Sequence, residues 1–167
     1  YHLYNRGVNK MPIFKDDADY RRFQGLLYLS NGVNPVHFQS TNQSKLYLES
    51  NSEPIVAIGA YCLMPNHFHI LVKEIVDGGI SKFMRRLMTA YSMYFNIKNE
   101  RTGTLFESRF KSTIQKTDEQ LKYLYSYIHL NPIKKIEPHW KEVGIKNIEG
   151  AMEYLNRFPY SSFLDYK

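Results

Sequence analysis

The stretch MPNHFHILV, residues 64–72, decides the fold because it joins a tight turn to an apolar run that carries two histidines. Side chains of a β-strand alternate between the two faces of its sheet, so His67 and His69 point to the same face. Phe68 and Ile70 then point to the other face, where they can be buried. Neutral imidazole is a common ligand of divalent metals, so the two histidines form half of a metal site. The spacing also allows two histidines that fill a sheet face with hydrogen-bonded rings.

The elements predicted around this stretch alternate between strands and helices. The strands are predicted at residues 1–7, 54–64, 67–73 and 103–115, and the helices at 16–30, 80–98 and 118–130. Pro65-Asn66 forms a hairpin turn, and the last helix begins at the capping residue Thr117 and ends at Asn131-Pro132. This order predicts an α/β (α+β) fold, a ferredoxin-like sandwich with an antiparallel sheet and helices on one face. The second arm of the hairpin then lies centrally in the sheet.

The length of 167 residues predicts one domain over residues 1–167, with residues 132–167 as a C-terminal extension packed on it. Residues 31–53 are polar and are interpreted as a surface excursion. A single cysteine, Cys62, permits no internal disulfide and fits a reducing cytosol. The opening residues do not resemble a cleavable signal, and the apolar run 56–64 is too short to span a bilayer.

The net charge of +6 is concentrated in one part of the chain. Residues 81–116 contain eight basic residues, and the only acidic residues among them are Glu100 and Glu107. The net charge of this segment therefore equals that of the whole chain. Such a concentration suits a polyanion such as nucleic acid. The alternative is an ordinary solvated helix face.

The last predicted helix carries a second pair of chemically competent residues. Tyr127 and Asn131 are four residues apart and therefore share a helix face. The Asn131 amide oxygen is a suitable third ligand for Mg²⁺ or Mn²⁺ beside two imidazoles. A deprotonated Tyr127 phenol can attack phosphorus, and a metal ion beside it would stabilise the charge that develops. Together the four residues describe a metal-assisted phosphodiester cleavage site with a tyrosine nucleophile.

Other residues of this helix offer alternative assignments. Tyr123 lies one turn earlier on the same face and is the second candidate nucleophile. Tyr125 and His129 each lie about 200° around the helix from Tyr127 and are interpreted as structural residues. With 14 tyrosines in the chain, any one of them can be a packing residue.

Two of these stretches resemble motifs of a known protein family. Residues 64–72 resemble the HUH motif (His, bulky hydrophobic, His) of single-tyrosine transposases. The stretch YIHLNPI, residues 127–133, resembles the tyrosine helix of their REP-associated branch, which is linked to repetitive extragenic palindromes. The stretches YNRG (4–7), GTLFESRFKS (103–112) and PYSS (159–162) resemble the same branch. The resemblance runs through nearly the whole chain and is weakest over residues 31–53.

This resemblance implies a role for each motif residue. His67, His69 and Asn131 would bind a divalent metal, Mg²⁺ or Mn²⁺, and Tyr127 would be the nucleophile. The family cleaves single-stranded DNA at hairpins, joins the tyrosine to the 5′-phosphate and releases a 3′-OH. Asn131, where the classical insertion-sequence branch has Gln, favours a monomer, with a homodimer as the alternative. A bacterial cytoplasmic protein associated with the nucleoid is expected.

The basic residues expected to contact DNA phosphates are Arg6, Arg85, Arg86, Arg109, Lys111, Lys134 and Lys135. The leading hypothesis is a site-specific single-stranded DNA endonuclease and strand transferase. A domesticated module that binds DNA hairpins without cleavage would need the basic residues but neither Tyr127 nor the histidines. A metal-dependent hydrolase that uses water as nucleophile would not need Tyr127.

Overall fold

A four-stranded antiparallel sheet forms the centre of the protein in a computed structural model, which describes residues 1–34 and 53–167. Its strands are β1 (His2–Arg6), β2 (Val56–Met64), β3 (His67–Glu74) and β4 (Lys111–Thr113). Their spatial order is β2-β3-β1-β4, which is the ferredoxin-like order. The predicted fold class and the central position of β3 are therefore confirmed. Most of the predicted 31–53 excursion lies outside the described residues.

Five α-helices lie in the described part of the chain. They are α1 (Asp17–Leu29), α2 (Gly79–Lys98), α3 (Asp118–Leu130), α4 (Trp140–Val143) and α5 (Ile148–Asn156). Short 3₁₀ turns follow β1 at Val8–Lys10, continue α3 at Asn131–Lys135 and end the chain at Ser162–Tyr166. The predicted bounds of the first three helices agree with these to within one residue. None of the described helices is long and apolar enough to cross a membrane.

Helices α1 and α2 cover one face of the sheet. Phe68 and Ile70 of β3 are fully buried there together with Phe23 of α1 and Phe83 of α2. A network of polar contacts also joins the two helices, since Asp19 of α1 is fully buried and accepts a hydrogen bond from Lys98 Nζ of α2 at 2.7 Å. The hydrophobic core therefore lies on the face of β3 opposite the two histidines.

Helix α3 packs on the other face, which corrects the prediction of helices on one face only. Leu124 and Ile128 of α3 form a second buried cluster with residues of β2 and β3, including Cys62 and Leu71. Apolar residues of β2 and β3 point to both faces, so each face needs a covering layer. Helix α3 therefore covers the face of β3 that carries the two histidines.

Strand β4 is much shorter than the predicted extended stretch 103–115. Phe106 makes a single bridge to Gly7, and regular pairing resumes only at Lys111. Between them the Asn5 side chain donates a hydrogen bond to the Ser108 carbonyl at 2.9 Å. A side chain thus takes the place of a backbone partner, and the chain bulges away from β1.

The outer edge of β2 is covered by the end of the chain. The backbone N–H of Leu63 donates to the Tyr160 carbonyl at 2.9 Å, and that of Tyr61 donates to Ser162 Oγ at 2.8 Å. These contacts satisfy backbone groups of β2 on the side where no strand of the described residues pairs with it.

We expect Lys98→Met to lower the free energy of unfolding by about 2–4 kcal/mol, because it leaves the buried Asp19 carboxylate without its cation. Urea denaturation measures this. The matched control is Arg21→Met, which removes a cation from the exposed Asp17 and should cost much less, because water screens this pair. Equal losses of unfolding free energy in the two variants would contradict a stabilising role of Lys98 beside the buried Asp19 carboxylate.

Candidate active site

Strand β3 presents its two histidines to the space beneath α3. His69 is 7% exposed and His67 is half-buried, whereas Phe68 and Ile70 on the opposite face are fully buried. The strand alternates as the sequence predicts, with His67 directly after the two-residue turn Pro65-Asn66. Because β3 is hydrogen-bonded on both sides, the two imidazoles are mounted on a rigid part of the sheet.

Helix α3 brings Tyr127 and Asn131 to these histidines. The Tyr127 ring packs edge-on against His69, with ring centroids 5.3 Å apart. Asn131 is 2% exposed, and its side chain lies close enough to His67 to raise the pKa of that imidazole. Tyr127 and Asn131 are one helical turn apart, so both point to the same side. The structure therefore brings together all four residues of the predicted cleavage site.

The backbone at Asn131 departs from the sequence expectation. The residue before a proline is usually steered away from the α region, yet Asn131 has φ −54° and ψ −38°. The α-helix ends at Leu130, and the chain then continues as the 3₁₀ turn Asn131–Lys135. Asn131 thus keeps helical backbone dihedral angles, and its side chain points toward β3.

Burial keeps the histidines of the site neutral. Desolvation lowers the pKa of His67 to about 4, although the neighbouring Asn131 side chain opposes the shift. Desolvation likewise lowers the pKa of His69 well below its usual value and that of the neighbouring His2 to about 4. A neutral imidazole has one free lone pair, which is the form that binds a metal.

Hydrogen bonds to the Nδ1 atoms orient both rings. His67 Nδ1 lies 2.6 Å from Asn66 Oδ1, and His69 Nδ1 lies 2.9 Å from His2 Nε2. The Nε2 atoms of His67 and His69 are thus the ones that remain for a ligand. No group of three or more His, Cys, Asp or Glu side chains in the described ranges is arranged to hold a metal ion. The side chains that could bind a metal here are the two imidazoles, with the Asn131 amide beside them.

The alternative residues of α3 have other surroundings. Tyr123 is 70% exposed and stacks on Tyr127 at 6.3 Å between ring centroids. Tyr125 donates a hydrogen bond to the Gly59 carbonyl of β2 at 2.8 Å. His129 Nε2 lies 2.9 Å from Ser162 Oγ, within the contact of the chain end with β2. Tyr127 is therefore the tyrosine of α3 that packs against His69.

A cleft of about 340 Å³ opens beside His67. Three basic residues from different parts of the chain line it, namely Arg6, Lys111 and Lys134. Arg6 also pairs with Glu107, with Nε 2.9 Å from Oε1. The cleft thus combines positive charge with direct access to one of the paired histidines.

The other predicted DNA contacts lie away from this cleft. Arg85 and Arg86 belong to α2 on the opposite face of the sheet, and Arg86 donates to the Gly32 and Val33 carbonyls. Arg109 lines a separate groove beside α2, and Lys135 Nζ lies 6.0 Å from the Phe158 ring centroid. Counting charges along the chain does not distinguish the two faces of the sheet.

Sequence reasoning missed two residues of the site, His2 and Lys141. Lys141 Nζ lies 4.1 Å from the centroid of the Tyr127 ring. No motif marks Lys141, because it lies in a short helix of the C-terminal extension. His2 and Tyr4 are two residues apart in β1 and therefore share a face of the sheet. Because β1 pairs with β3 and Tyr4 lies opposite His69, this alternation could have indicated that His2 lies near the site.

Comparison with known proteins identifies the family. The family model described as "Transposase IS200 like" matches residues 40–131, more than half of the chain. This segment contains His67, His69, Tyr127 and Asn131. The chain therefore belongs to the IS200-like transposase family, and the family resemblance of its motifs is confirmed.

A solved structure shares the fold. It is that of a REP-associated tyrosine transposase bound to a REP hairpin, and 15% of the aligned residues are identical. The similarity covers 98% of this chain and 76% of that chain, with a TM-score of 0.57. No curated protein matches this sequence significantly.

We expect the free energy of unfolding to fall as the pH is lowered from about 7 to about 4. Unfolded histidines take up protons near pH 6.5, whereas His2 and His67 do so only near pH 4 when folded. Within this window the unfolded chain binds more protons, so acid favours unfolding by about 1.4 kcal/mol per pKa unit and histidine.

Urea denaturation of wild type and His67→Gln at several pH values measures this effect. The variant should lose less stability over the same pH range, and the exposed His139→Gln is the control. A His67→Gln profile as steep as that of wild type would contradict burial as the cause.

Proposed function

We propose that this protein is a site-specific single-stranded DNA endonuclease and strand transferase of the REP-associated transposase type. It would act on DNA hairpins through a covalent 5′-phosphotyrosine intermediate with the assistance of a divalent metal. The observation that carries the proposal is the contact of Tyr127 with His69, beside a cleft that contains three basic side chains. Membership of the IS200-like transposase family supports it.

In the proposed reaction the Tyr127 phenol oxygen attacks the scissile phosphorus. A bond forms between this oxygen and phosphorus while the bond from phosphorus to the 3′ oxygen breaks. The phenol proton leaves to solvent, and the departing 3′ oxygen takes up a proton to give a 3′-OH. Attack by that or another 3′-OH on the phosphotyrosine reverses the step and joins the strands. Lys141 lies over the Tyr127 ring, where its charge would attract the incoming phosphate.

The residues present fit a divalent cation, Mg²⁺ or Mn²⁺. The proposed ligands are the Nε2 atoms of His67 and His69 and the Asn131 amide oxygen. The Asn131 amide nitrogen is buried without a hydrogen-bond partner in the described residues. No hydrogen bond from this nitrogen therefore opposes a rotation of the amide that turns its oxygen toward a cation. When bound, the cation would polarise a phosphoryl oxygen and stabilise the charge of the transition state.

The proposed substrate is single-stranded DNA that folds into a hairpin. The related solved structure holds a REP hairpin, and the basic cleft beside His67 suits a phosphate backbone. Arg6, Lys111 and Lys134 are the proposed contacts of the strand near the scissile phosphate. A monomer acting in the bacterial cytoplasm at the nucleoid, where such hairpins occur, is part of the proposal.

We expect Tyr127→Phe to abolish the protein–DNA adduct while Tyr123→Phe retains it, because Tyr127 packs against His69 whereas Tyr123 is 70% exposed. The assay mixes each variant with labelled hairpins from the repeats of the source genome and resolves adducts on a denaturing gel. The adduct should require Mn²⁺ and disappear with EDTA. Cleavage that persists in Tyr127→Phe would transfer the role to Tyr123 or to water. Hairpin binding without any cleavage would favour a domesticated binding module.

We expect Lys111→Ala and Lys134→Ala to weaken hairpin binding and to reduce its salt dependence. Each lost phosphate contact should reduce the slope of log K against log salt by about 0.7 for a single strand. Arg85→Ala is the matched control, since this exposed residue lies on the opposite face of the sheet. Fluorescence anisotropy over a salt series measures both quantities. An effect of Arg85→Ala as large as that of Lys134→Ala would contradict the proposed position of the strand.

A further inference from the structure

His2 is a buried polar residue of β1 whose hydrogen-bond partner is one of the proposed metal ligands. Its Nε2 atom lies 2.9 Å from His69 Nδ1, and the two rings stack with centroids 5.0 Å apart. His2 is 9% exposed and His69 is 7% exposed, so water competes little for this hydrogen bond. His2 lies behind His69, on the side away from the free Nε2 atom.

The two proposed histidine ligands differ in what orients them. The partner of His67 Nδ1 is an amide oxygen, which only accepts, so His67 Nδ1 carries the proton and Nε2 keeps its lone pair. The partner of His69 Nδ1 is another imidazole nitrogen, which can donate or accept. A neutral His69 presents a lone pair at Nε2 only when its own Nδ1 carries the proton. His2 Nε2 must then accept, with the His2 proton on Nδ1.

We propose that His2 is a positioning residue that accepts the His69 Nδ1–H hydrogen bond and so holds the tautomer of His69 that binds a divalent cation. The inference rests on the proposed function, because it takes His69 as a metal ligand. Partners of this kind fix the orientation of a ligating histidine, and their loss typically weakens metal binding 10- to 100-fold.

The first test is the tautomer of His69 in the metal-free wild-type protein at pH 7. Long-range ¹H–¹⁵N NMR spectra distinguish protonation at Nδ1 from protonation at Nε2, and the spectrum of His69→Gln assigns the signal. We expect His69 to carry its proton on Nδ1. A proton on Nε2 would overturn the proposal without any need for a His2 variant.

The second test compares Mn²⁺ affinity in wild type, His2→Phe and His2→Gln, from the electron paramagnetic resonance signal of free Mn²⁺. His2→Phe keeps a stacking ring but has no acceptor, whereas His2→Gln keeps an amide oxygen that can accept. We expect a 10- to 100-fold loss for His2→Phe and nearly wild-type affinity for His2→Gln. Urea denaturation establishes that both variants are folded.

Equal affinity in all three proteins, or an equal loss in both variants, would overturn the positioning role. These readouts do not depend on DNA cleavage. Failure of the Tyr127 adduct assay would therefore overturn the proposed function while the NMR and Mn²⁺ measurements still test His2.

Discussion

The alternation of strand β3 is the constraint on which the rest of the structure depends. One face of the strand buries Phe68 and Ile70 in the main core, and this burial fixes the register of the strand in the sheet. A slip by one residue would turn the histidines into the main core and move Phe68 and Ile70 to the face covered by α3. The core therefore directs His67 and His69 to the opposite face. Helix α3 covers that face through Leu124 and Ile128, and the same helix carries Tyr127 to the histidines.

The candidate site combines desolvated histidines with an open cleft that is lined by basic side chains. The imidazoles are desolvated, which keeps them neutral and available as ligands. The cleft beside His67 is open and carries the side chains of Arg6, Lys111 and Lys134. These cations come from β1, β4 and the 3₁₀ turn after α3, so the ferredoxin-like order itself assembles the entrance. A phosphate in this cleft would lie next to the proposed ligands.

Periodicity predicted the elements that a single local pattern determines. The bounds of α3 and its cap at Thr117 followed from the sequence, as did the shared face of Tyr127 and Asn131. Features that depend on distant contacts could not be predicted this way. The covering of both faces, the shortening of β4 by the Asn5 side chain and the contact of Lys141 with Tyr127 each join residues far apart in the chain. Charge density along the sequence likewise grouped Arg85 with Lys111, although the sheet separates them.

The position of the covalent bond to DNA tests most directly whether Tyr127 is the nucleophile. Trypsin cleaves after Lys122 and Lys134, so one peptide contains Tyr123, Tyr125 and Tyr127. Tandem mass spectrometry of this peptide, prepared from the adduct after nuclease digestion, assigns the modified residue. We expect a nucleotide attached through its 5′-phosphate to Tyr127. Attachment to Tyr123, or cleaved DNA with this peptide unmodified, would contradict it.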